Sequence, residues 1–385
     1  MKMLNYYPMP EAVIGDDAIA DLCRYEGKKI GLVVDRGISG LPCFARVCNE
    51  ILKDCMYKVL GLVGQEPTMG EIDPMIPQVR DYAPDVIVAI GGGAAIDTAK
   101  MLLVFAEKPE WGWDEVTRGP INKNYGLSGR IQLVAVPTTS GTGSEASSCA
   151  VLTDYNGGKV VIITNEIGPK KAILDFKLLE TLPKKVIAYS GLDALSHVMG
   201  ALTCNNILSL PAKMNGTQVA VTILHNLEKS FNGDLTARAV MHCAAFKAGE
   251  TTKNTSCGLD HNLDRFAKEL KLPHGYVSGL LLLYTTNYLI PHKNYVELAE
   301  QMGFDGQNDE EKQKKLLDYM FAMYKRMGVP LSLKEYGVAE EDYIPHIERF
   351  IEEDKQVGTM YTVCHPTDEE LRRLYLQFYY GMEEK

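Results

Sequence analysis

The sequence predicts two domains, an N-terminal α/β domain built on a parallel sheet and an all-helical C-terminal domain. Short β-branched runs alternate with helical stretches from about residue 28 to residue 175, which is typical of a doubly wound α/β domain. After Leu182-Pro183 the β-branched runs stop and helical periodicity takes over. We therefore place the two domains at residues 1–178 and 179–385, with ligands expected in a cleft between them.

The predicted strands are short and nearly all apolar, which favours a parallel sheet covered on both faces. They are Lys29–Val34, Tyr57–Leu62, Asp85–Ile90, Gln132–Val136 and Val160–Thr164. In the second domain the periodicity predicts helices over Ala212–Phe231, Leu235–Glu250, Gly279–Leu289, Asn294–Met302 and Lys312–Met327, and Pro330 stops the last of them.

The composition excludes several classes of protein. The 385 residues are 46% hydrophobic and 23% charged, as in ordinary globular proteins, and no apolar run is long enough for a membrane span or a signal peptide. A net charge of −10 without a basic cluster argues against nucleic acid or an anionic membrane as a partner. The nine cysteines form no CxxC motif, so we expect reduced thiols and a cytoplasmic protein.

Two glycine-rich segments follow apolar strands of the first domain. Gly91, Gly92 and Gly93 lie between a predicted strand and a predicted helix start, where backbone N–H groups can approach a pyrophosphate. The second segment, Pro137-Thr-Thr-Ser-Gly-Thr-Gly-Ser-Glu145, can cradle phosphate and ribose, although either segment can also be a plain turn. Asp35, at the end of an early strand, can cap a helix or bind a ribose hydroxyl; beside two glycine loops we favour the ribose.

Four residues of the second domain have the types and spacings of a site for one metal ion. Asp193 and His197 are an i,i+4 pair on one predicted helix face, a pairing that is also common as a surface hydrogen bond. His261 and His274 follow farther along the chain. One carboxylate and three imidazoles suit Fe²⁺, Zn²⁺ or Mn²⁺. The five other histidines have no partner at ligand spacing.

The motifs resemble those of the iron-containing (group III) alcohol dehydrogenases, over nearly the whole chain. They occur in the order Gly91-Gly-Gly…Asp97…Ala-Lys100, Pro137-Thr-Thr-Ser-Gly-Thr-Gly-Ser-Glu145, Gly191-Leu-Asp-Ala-Leu-Ser-His197 and Pro273-His274-Gly275. The resemblance implies a Rossmann-like N-terminal domain, a bound NAD(H) and one divalent metal, with Fe²⁺ preferred and Zn²⁺ or Mn²⁺ as alternatives. It assigns the metal to Asp193, His197, His261 and His274. It assigns the dinucleotide to Asp35, Gly91, Gly92, Gly93, Asp97, Thr138, Thr139, Ser144 and Lys159.

The chain departs from the family pattern around the third metal ligand. One residue is missing between the third ligand and Pro273-His274, so the register fits either His261, which we choose, or Asp260. The second histidine of the family motif is replaced by Arg265, and an aromatic position becomes Thr252, next to Lys253. Arginine is too basic to relay a proton.

The resemblance implies a metal-dependent, NAD(H)-linked alcohol dehydrogenase or aldehyde reductase, with the metal activating the alcohol oxygen and hydride passing to nicotinamide. Because a guanidinium matches an anionic group, we expect a short substrate with an anionic end, of the 4-hydroxybutyrate, sulfoacetaldehyde or phosphonoacetaldehyde type. In the alternative, Arg265 pairs internally with Asp264, Asp260 or Glu269, and the substrate is a neutral short-chain alcohol, propanediol or glycerol. A catalytically silent, nucleotide-binding regulatory protein is the other alternative. We also expect a homodimer or higher homo-oligomer.

Overall fold

The computed structural model describes residues 5–64, 67–120, 122–204, 207–357 and 365–382, which form two compact units. The first unit is Pro8–Thr181; the second contains residues 5–7 and the described residues from Leu182 onward. In the second unit the Tyr6 hydroxyl donates to Glu250 Oε1, and the Tyr7 N–H donates to Asn254 Oδ1. The N-terminal segment is therefore tied to the helical unit by hydrogen bonds.

A six-stranded sheet forms the centre of the first unit, and its paired strands are all parallel. The described strands are Glu11–Gly15 (β1), Lys29–Asp35 (β2), Met56–Val63 (β3), Val86–Gly91 (β4), Gln132–Pro137 (β5), Cys149–Thr153 (β6), Lys159–Ile163 (β7) and Lys171–Asp175 (β8). The order of the strands across the sheet is β1-β8-β5-β4-β2-β3. The predicted parallel sheet is confirmed, with four of its strands in the predicted places.

One predicted strand belongs to a different structure. Val160–Thr164 was expected in the parallel sheet, but β7 pairs antiparallel with β6 in a separate hairpin. The reason is the turn between them, where Asp154 Oδ1 accepts the N–H groups of Asn156 and Gly158. Apolar content alone does not distinguish these two kinds of strand. The sequence analysis also missed β1, β6 and β8.

Helices cover both faces of the sheet. Successive side chains on a strand point to opposite faces, so each strand contributes to a core on either side. Val33 on β2 and Ala89 on β4 pack into one apolar cluster, whereas Val34 and Val88 pack into another on the opposite face. The α-helices of this unit are Arg36–Ser39 (α1), Pro42–Arg46 (α2), Met69–Ile72 (α3), Met75–Tyr82 (α4), Gly93–Glu107 (α5) and Trp113–Thr117 (α6).

The second unit is helical, as predicted, and no described residue after Asp175 lies in a strand. Its helices are Lys184–Leu202 (α7), Leu210–Phe231 (α8), Leu235–Lys253 (α9), Leu259–Asn262 (α10), Phe266–Glu269 (α11), His274–Tyr288 (α12), Lys293–Gln301 (α13), Asp309–Arg326 (α14), Leu333–Tyr336 (α15), Ile347–Val357 (α16) and Asp368–Tyr380 (α17). Helices α7 and α12 contribute Leu192, Leu195, Leu280 and Leu283 to a single buried cluster. None of the helices in the described ranges is both long and apolar enough to cross a membrane.

Candidate metal centre and nucleotide-binding turns

The four candidate metal ligands converge in the second unit. Asp193 and His197 lie one turn apart on α7, His261 lies on the short helix α10, and His274 is the first residue of α12. Asp193 Oδ1 lies 3.7 Å from His261 Nε2 and 3.4 Å from His274 Nε2. The rings of His197 and His261 have centroids 4.3 Å apart. Three helices, α7, α10 and α12, thus bring one carboxylate and three imidazoles together.

The Nδ1 atom of each imidazole faces an oxygen. His197 Nδ1 donates to the Asp193 carbonyl at 2.9 Å, and His261 Nδ1 donates to Asp260 Oδ2 at 2.8 Å. His274 Nδ1 lies 3.4 Å from Asp264 Oδ2. Because these oxygens can only accept from N–H, each ring holds a proton on Nδ1, and in the neutral form of each ring the lone pair lies on Nε2. This is the usual arrangement of metal-binding histidines, whose second nitrogen is oriented by a carboxylate or a carbonyl.

Close backbone packing fixes the segments that carry His261 and His274. A Cβ atom on Gly258 would lie 2.4 Å from Gly200 Cα, so the chain entering α10 touches α7. A Cβ atom on Gly275 would lie 2.3 Å from the Tyr189 carbonyl oxygen, so the start of α12 also touches α7. Pro273 is the N-cap of α12 and needs no N–H partner there. The glycine of Pro-His-Gly is therefore required for the close approach of His274 to Asp193.

The electrostatics of the cluster suit a cation. Burial raises the pKa of the Asp193 carboxyl, but the imidazoles around it outweigh burial and hold its pKa well below the usual range. Burial lowers the pKa of His197 to about 4. Burial also disfavours the charged form of His261, yet the Asp260 and Asp193 carboxylates raise its pKa to about 10. The surroundings of His261 thus favour a positive charge, which a bound divalent ion can supply in place of the proton.

The donor set fits a divalent metal. Asp193, His261 and His274 each offer a ligand atom within 4.8 Å of the others. His261 Nε2 is buried and makes no hydrogen bond in the described part of the chain. Burying a nitrogen without a hydrogen-bond partner costs free energy, and a bound ion would remove that cost. Asp260, the alternative ligand in the other register, lies behind His261 as its hydrogen-bond acceptor.

In the first unit the two glycine-rich segments lie side by side. Adjacent strands β4 and β5 end at the same edge of the sheet, and the Thr138 N–H donates to the Gly91 carbonyl. Gly92 is the N-cap of α5, and a Cβ on Gly93 would lie 2.8 Å from Thr142 Cγ2. Thr139 Oγ1 lies 3.4 Å from the Cβ position of Gly92. This is a backbone cradle at a helix N-terminus, suited to a pyrophosphate.

Two of the predicted cofactor residues are engaged in an internal network. The fully buried Lys100 ammonium donates to Asp97 Oδ1 and Ser144 Oγ, and Ser144 Oγ in turn donates to Asp97. Lys100 also donates to Ser147 Oγ and the Cys149 carbonyl, and Asp97 Oδ2 accepts the Val151 N–H. The network joins α5 to the second glycine-rich segment, Pro137–Glu145, and to β6. Lys100 belongs to one of the sequence motifs, but the sequence did not predict that it holds this network together.

Asp35 and Lys159 occupy different places. Asp35 ends β2 and caps α1, with Oδ1 accepting the Gly37 N–H at 2.7 Å. Its Cβ lies 2.7 Å from the position of a Cβ on Gly91, which has φ +157°, so the carboxylate adjoins the glycine turn while it caps α1. The cap that Asp35 forms on α1 therefore does not exclude a contact of the same carboxylate with a ribose hydroxyl. Lys159 begins β7 in the separate hairpin.

Arg265 has an internal partner that the sequence did not suggest. Its Nε lies 3.7 Å from Asp354 Oδ1 on α16, and Asp354 accepts the Tyr375 hydroxyl at 2.5 Å. Burial raises the pKa of Asp354 to about 7. Of the three partners considered from the sequence, Glu269 binds Arg349 and Asp260 binds His261, while Asp264 faces His274. Thr252 donates back to the Ala248 and Gly249 carbonyls of α9.

Comparison with known proteins identifies the family. The model "Iron-containing alcohol dehydrogenase" matches residues 10–176, and "Fe-containing alcohol dehydrogenase family, C-terminal" matches residues 187–378. The chain belongs to the iron-containing alcohol dehydrogenase family. The resemblance seen in the sequence motifs is thereby confirmed. Membership makes the protein an oxidoreductase of the alcohol dehydrogenase type, and it implies a metal and a nicotinamide dinucleotide.

Individual members of the family align with almost the whole chain. An NADPH-dependent butanol dehydrogenase from Clostridium saccharobutylicum is 30% identical and is aligned over 99% of both chains. An alcohol dehydrogenase from Thermococcus barophilus is 32% identical over 88% of this chain and 89% of its own. The structure of the iron-containing alcohol dehydrogenase from Thermococcus thioreducens, 30% identical, superimposes with a TM-score of 0.89 and covers 98% of this chain and all of its own.

Proposed function

We propose that this protein is a metal-dependent, NAD(H)-linked alcohol dehydrogenase or aldehyde reductase that acts on a short alcohol or aldehyde. The partly buried cluster of Asp193, His197, His261 and His274 carries the proposal, because its imidazole Nδ1 atoms face oxygens and its Nε2 atoms remain for an ion. A silent regulatory protein has no need of such a donor set. When bound, the metal supplies Lewis-acid polarisation of the alcohol or carbonyl oxygen.

The residues of the chain hold and orient the site. Asp193 contributes the negative charge, and Ser278 Oγ donates to its Oδ1 at 3.1 Å, which fixes the carboxylate plane. Asp260 and Asp264 orient His261 and His274. Arg265, which replaces the second histidine of the family motif, faces Asp354, and a guanidinium group does not serve as a proton relay. We therefore assign proton exchange to water or to the cofactor ribose. We propose Fe²⁺ as the ion, with Zn²⁺ and Mn²⁺ as alternatives that the same ligands accept.

Metal removal tests this proposal directly. Dialysis against a chelator should abolish NADH oxidation with butanal, and anaerobic Fe²⁺ should restore it, with about one ion bound per chain. Zn²⁺ and Mn²⁺ should be compared in parallel, with metal content measured for each sample. Full turnover in protein shown to be free of metal would contradict the proposal.

We propose that the cofactor is NAD(H) rather than NADP(H), although one 30% identical relative is named NADPH-dependent. The support is Asp35, whose carboxylate adjoins the glycine turn and would repel a ribose 2′-phosphate. In Asp35→Gly the ratio of kcat/KM for NADH to kcat/KM for NADPH should fall at least about fivefold. The reason is that the repulsion between Asp35 and a 2′-phosphate costs about 1 kcal/mol or more at a partly exposed site.

Asp85→Asn is the matched control for the cofactor test. Asp85 precedes β4 at the opposite edge of the sheet, where it accepts the Lys29 N–H. This variant should keep the parent preference. Equal kcat/KM for NADH and NADPH in the unmodified protein would overturn the NAD(H) proposal.

For the substrate, the contact between Arg265 and Asp354 favours a neutral short-chain alcohol, because the charge of the guanidinium is directed to an internal carboxylate. One observation keeps the anionic substrate as a second candidate. Asp354 has its pKa raised to about 7, so near neutral pH it only partly compensates Arg265, whose Nε makes no hydrogen bond within the described residues.

Arg265→Met distinguishes the two substrate classes. If the substrate is anionic, KM for succinate semialdehyde should rise at least about tenfold, as expected when a charged hydrogen bond is lost, while KM for butanal changes little. If the substrate is neutral, both aldehydes should change equally. Efficient use of butanal by the unmodified enzyme, at or above the rate with succinate semialdehyde, would exclude the anionic class.

A further inference from the structure

A second group of metal-ligating side chains shares two residues with the candidate metal centre. His197, Cys257 and His261 each offer a ligand atom within 4.8 Å of the other two. Cys257 lies between α9 and α10 and is partly buried. It is not among the ligand positions that the family motifs assign, and the sequence analysis treated it only as a reduced thiol. The sulfur is close enough to the imidazoles to share an ion with them.

The unsatisfied nitrogen of His261 gives an independent indication of where an ion would bind. Nδ1 of this ring is held by Asp260, while Nε2 is buried without a hydrogen bond in the described residues and lies 3.7 Å from Asp193 Oδ1. His261 belongs to both groups of three residues. The His261 ring is therefore within reach of donors from both groups.

The backbone keeps Cys257 beside α7. Gly258, the next residue, contacts Gly200 so closely that neither position has room for a Cβ atom. The buried Cys204 thiol donates to the carbonyls of Ser256 and Cys257, which ties the same segment to the end of α7. Cys204 is thus a packing cysteine, whereas Cys257 is grouped with two imidazoles.

We propose that the Cys257 thiolate is a further donor to the divalent ion held by Asp193, His197, His261 and His274. The inference rests on the proposed metal-dependent function. As the sulfur–metal bond forms, the thiol loses its proton to solvent. A thiolate is a soft ligand, so it strengthens binding of Zn²⁺, Fe²⁺ and the probe ion Co²⁺ more than binding of Mn²⁺. Cys257 thereby sets the metal preference of this chain.

Cobalt spectroscopy tests the proposal independently of activity. The metal-free full-length protein is titrated with Co²⁺ under reducing, anaerobic conditions, for the parent, Cys257→Ser and Cys243→Ser. Cys243 is the control, because it is a partly buried cysteine of the same unit on α9. We expect a near-ultraviolet thiolate-to-cobalt charge-transfer band in the parent and in Cys243→Ser. In Cys257→Ser this band should be lost, while the visible cobalt bands remain at one ion per chain.

Competition between metals gives a second measurement. In Cys257→Ser the affinity for Zn²⁺ should fall at least about tenfold, a loss typical of substitutions among the residues around a metal ion. The affinity for Mn²⁺ should change much less. Stoichiometric Co²⁺ binding by the parent without a charge-transfer band, or with the same band in Cys257→Ser, would overturn the role of Cys257 and leave the proposed function intact. Failure of the parent to bind Co²⁺, Fe²⁺ or Zn²⁺ at all would overturn both.

Discussion

Replacement of His261 by alanine is expected to remove the bound metal and lower kcat/KM by at least about a thousandfold. The ring provides a buried, unsatisfied Nε2 at the centre of the cluster. Loss of Lewis-acid stabilisation costs several kcal/mol, and each 1.4 kcal/mol corresponds to a factor of ten in rate. Metal content by elemental analysis and turnover with NADH and a short aldehyde should fall together.

The neighbouring residue provides the control for this prediction. Asp260→Asn should keep the ion but bind it about 10–100-fold more weakly, because the carboxylate only orients His261. The thermal unfolding midpoint of each metal-free variant should be measured to separate lost ligation from lost folding. Stoichiometric metal in His261→Ala combined with its loss in Asp260→Ala would show that the ligand is Asp260 and that our choice of register is wrong.

Replacement of Lys100 by methionine is expected to give the largest loss of stability. The ammonium is fully buried, and its removal would deprive Asp97 of its cationic partner and leave Ser144, Ser147 and the Cys149 carbonyl each short of a donor. Breaking a buried ion pair on one side costs about 3–5 kcal/mol. Because the network positions the segment Pro137–Glu145 beside the glycine turn, the affinity for NADH should fall as well. Urea unfolding and NADH fluorescence titration measure the two effects.

Lys58→Met is the control, since Lys58 is exposed on β3 and a surface substitution of this kind changes stability by about 0.5 kcal/mol or less. Equal urea midpoints for Lys58→Met and Lys100→Met would show that the network contributes nothing to stability. Asp97→Asn should lower stability less than Lys100→Met, because the amide can still accept from Lys100 and Ser144.

The sequence predicted the fold class, and for much of the chain it also predicted the elements. Strands β2, β4 and β5 are apolar and almost entirely buried, so local composition identified them. Strand β3 was also predicted, although it lies at the edge of the sheet and half of its residues are exposed. The hairpin strand β7 has a similar composition, but its partner depends on the Asp154 turn. Helices α8, α9, α13 and α14 were predicted to within three residues of their ends, because periodicity reports burial on one face. The start of α12 was placed five residues too late, and α16 and α17 were not predicted.

The four candidate ligands were chosen from the sequence, whereas most contacts around them could not be predicted. Spacing and family motifs selected Asp193, His197, His261 and His274, and they all lie in the cluster. The sequence did not predict that Asp260 orients His261, that Asp264 faces His274 or that Cys257 lies near His197 and His261, because the directions of side chains depend on the folded backbone. Asp354 lies 89 positions from Arg265, so no local pattern could suggest that pair. The homo-oligomeric state and the cytoplasmic location remain predictions.

The sequence by itself determined the family, the fold class of each unit and the candidate residues for a metal and a dinucleotide, because motifs and periodicity are local properties. Only the tertiary structure decided which carboxylates orient the histidines, that Asp97 and Ser144 bind Lys100, and that Arg265 faces Asp354. These contacts depend on close approach between segments distant in sequence, such as Gly258 on Gly200 and Gly275 on the Tyr189 carbonyl. Such packing distances are properties of the folded chain, and they decide which donors can share one ion.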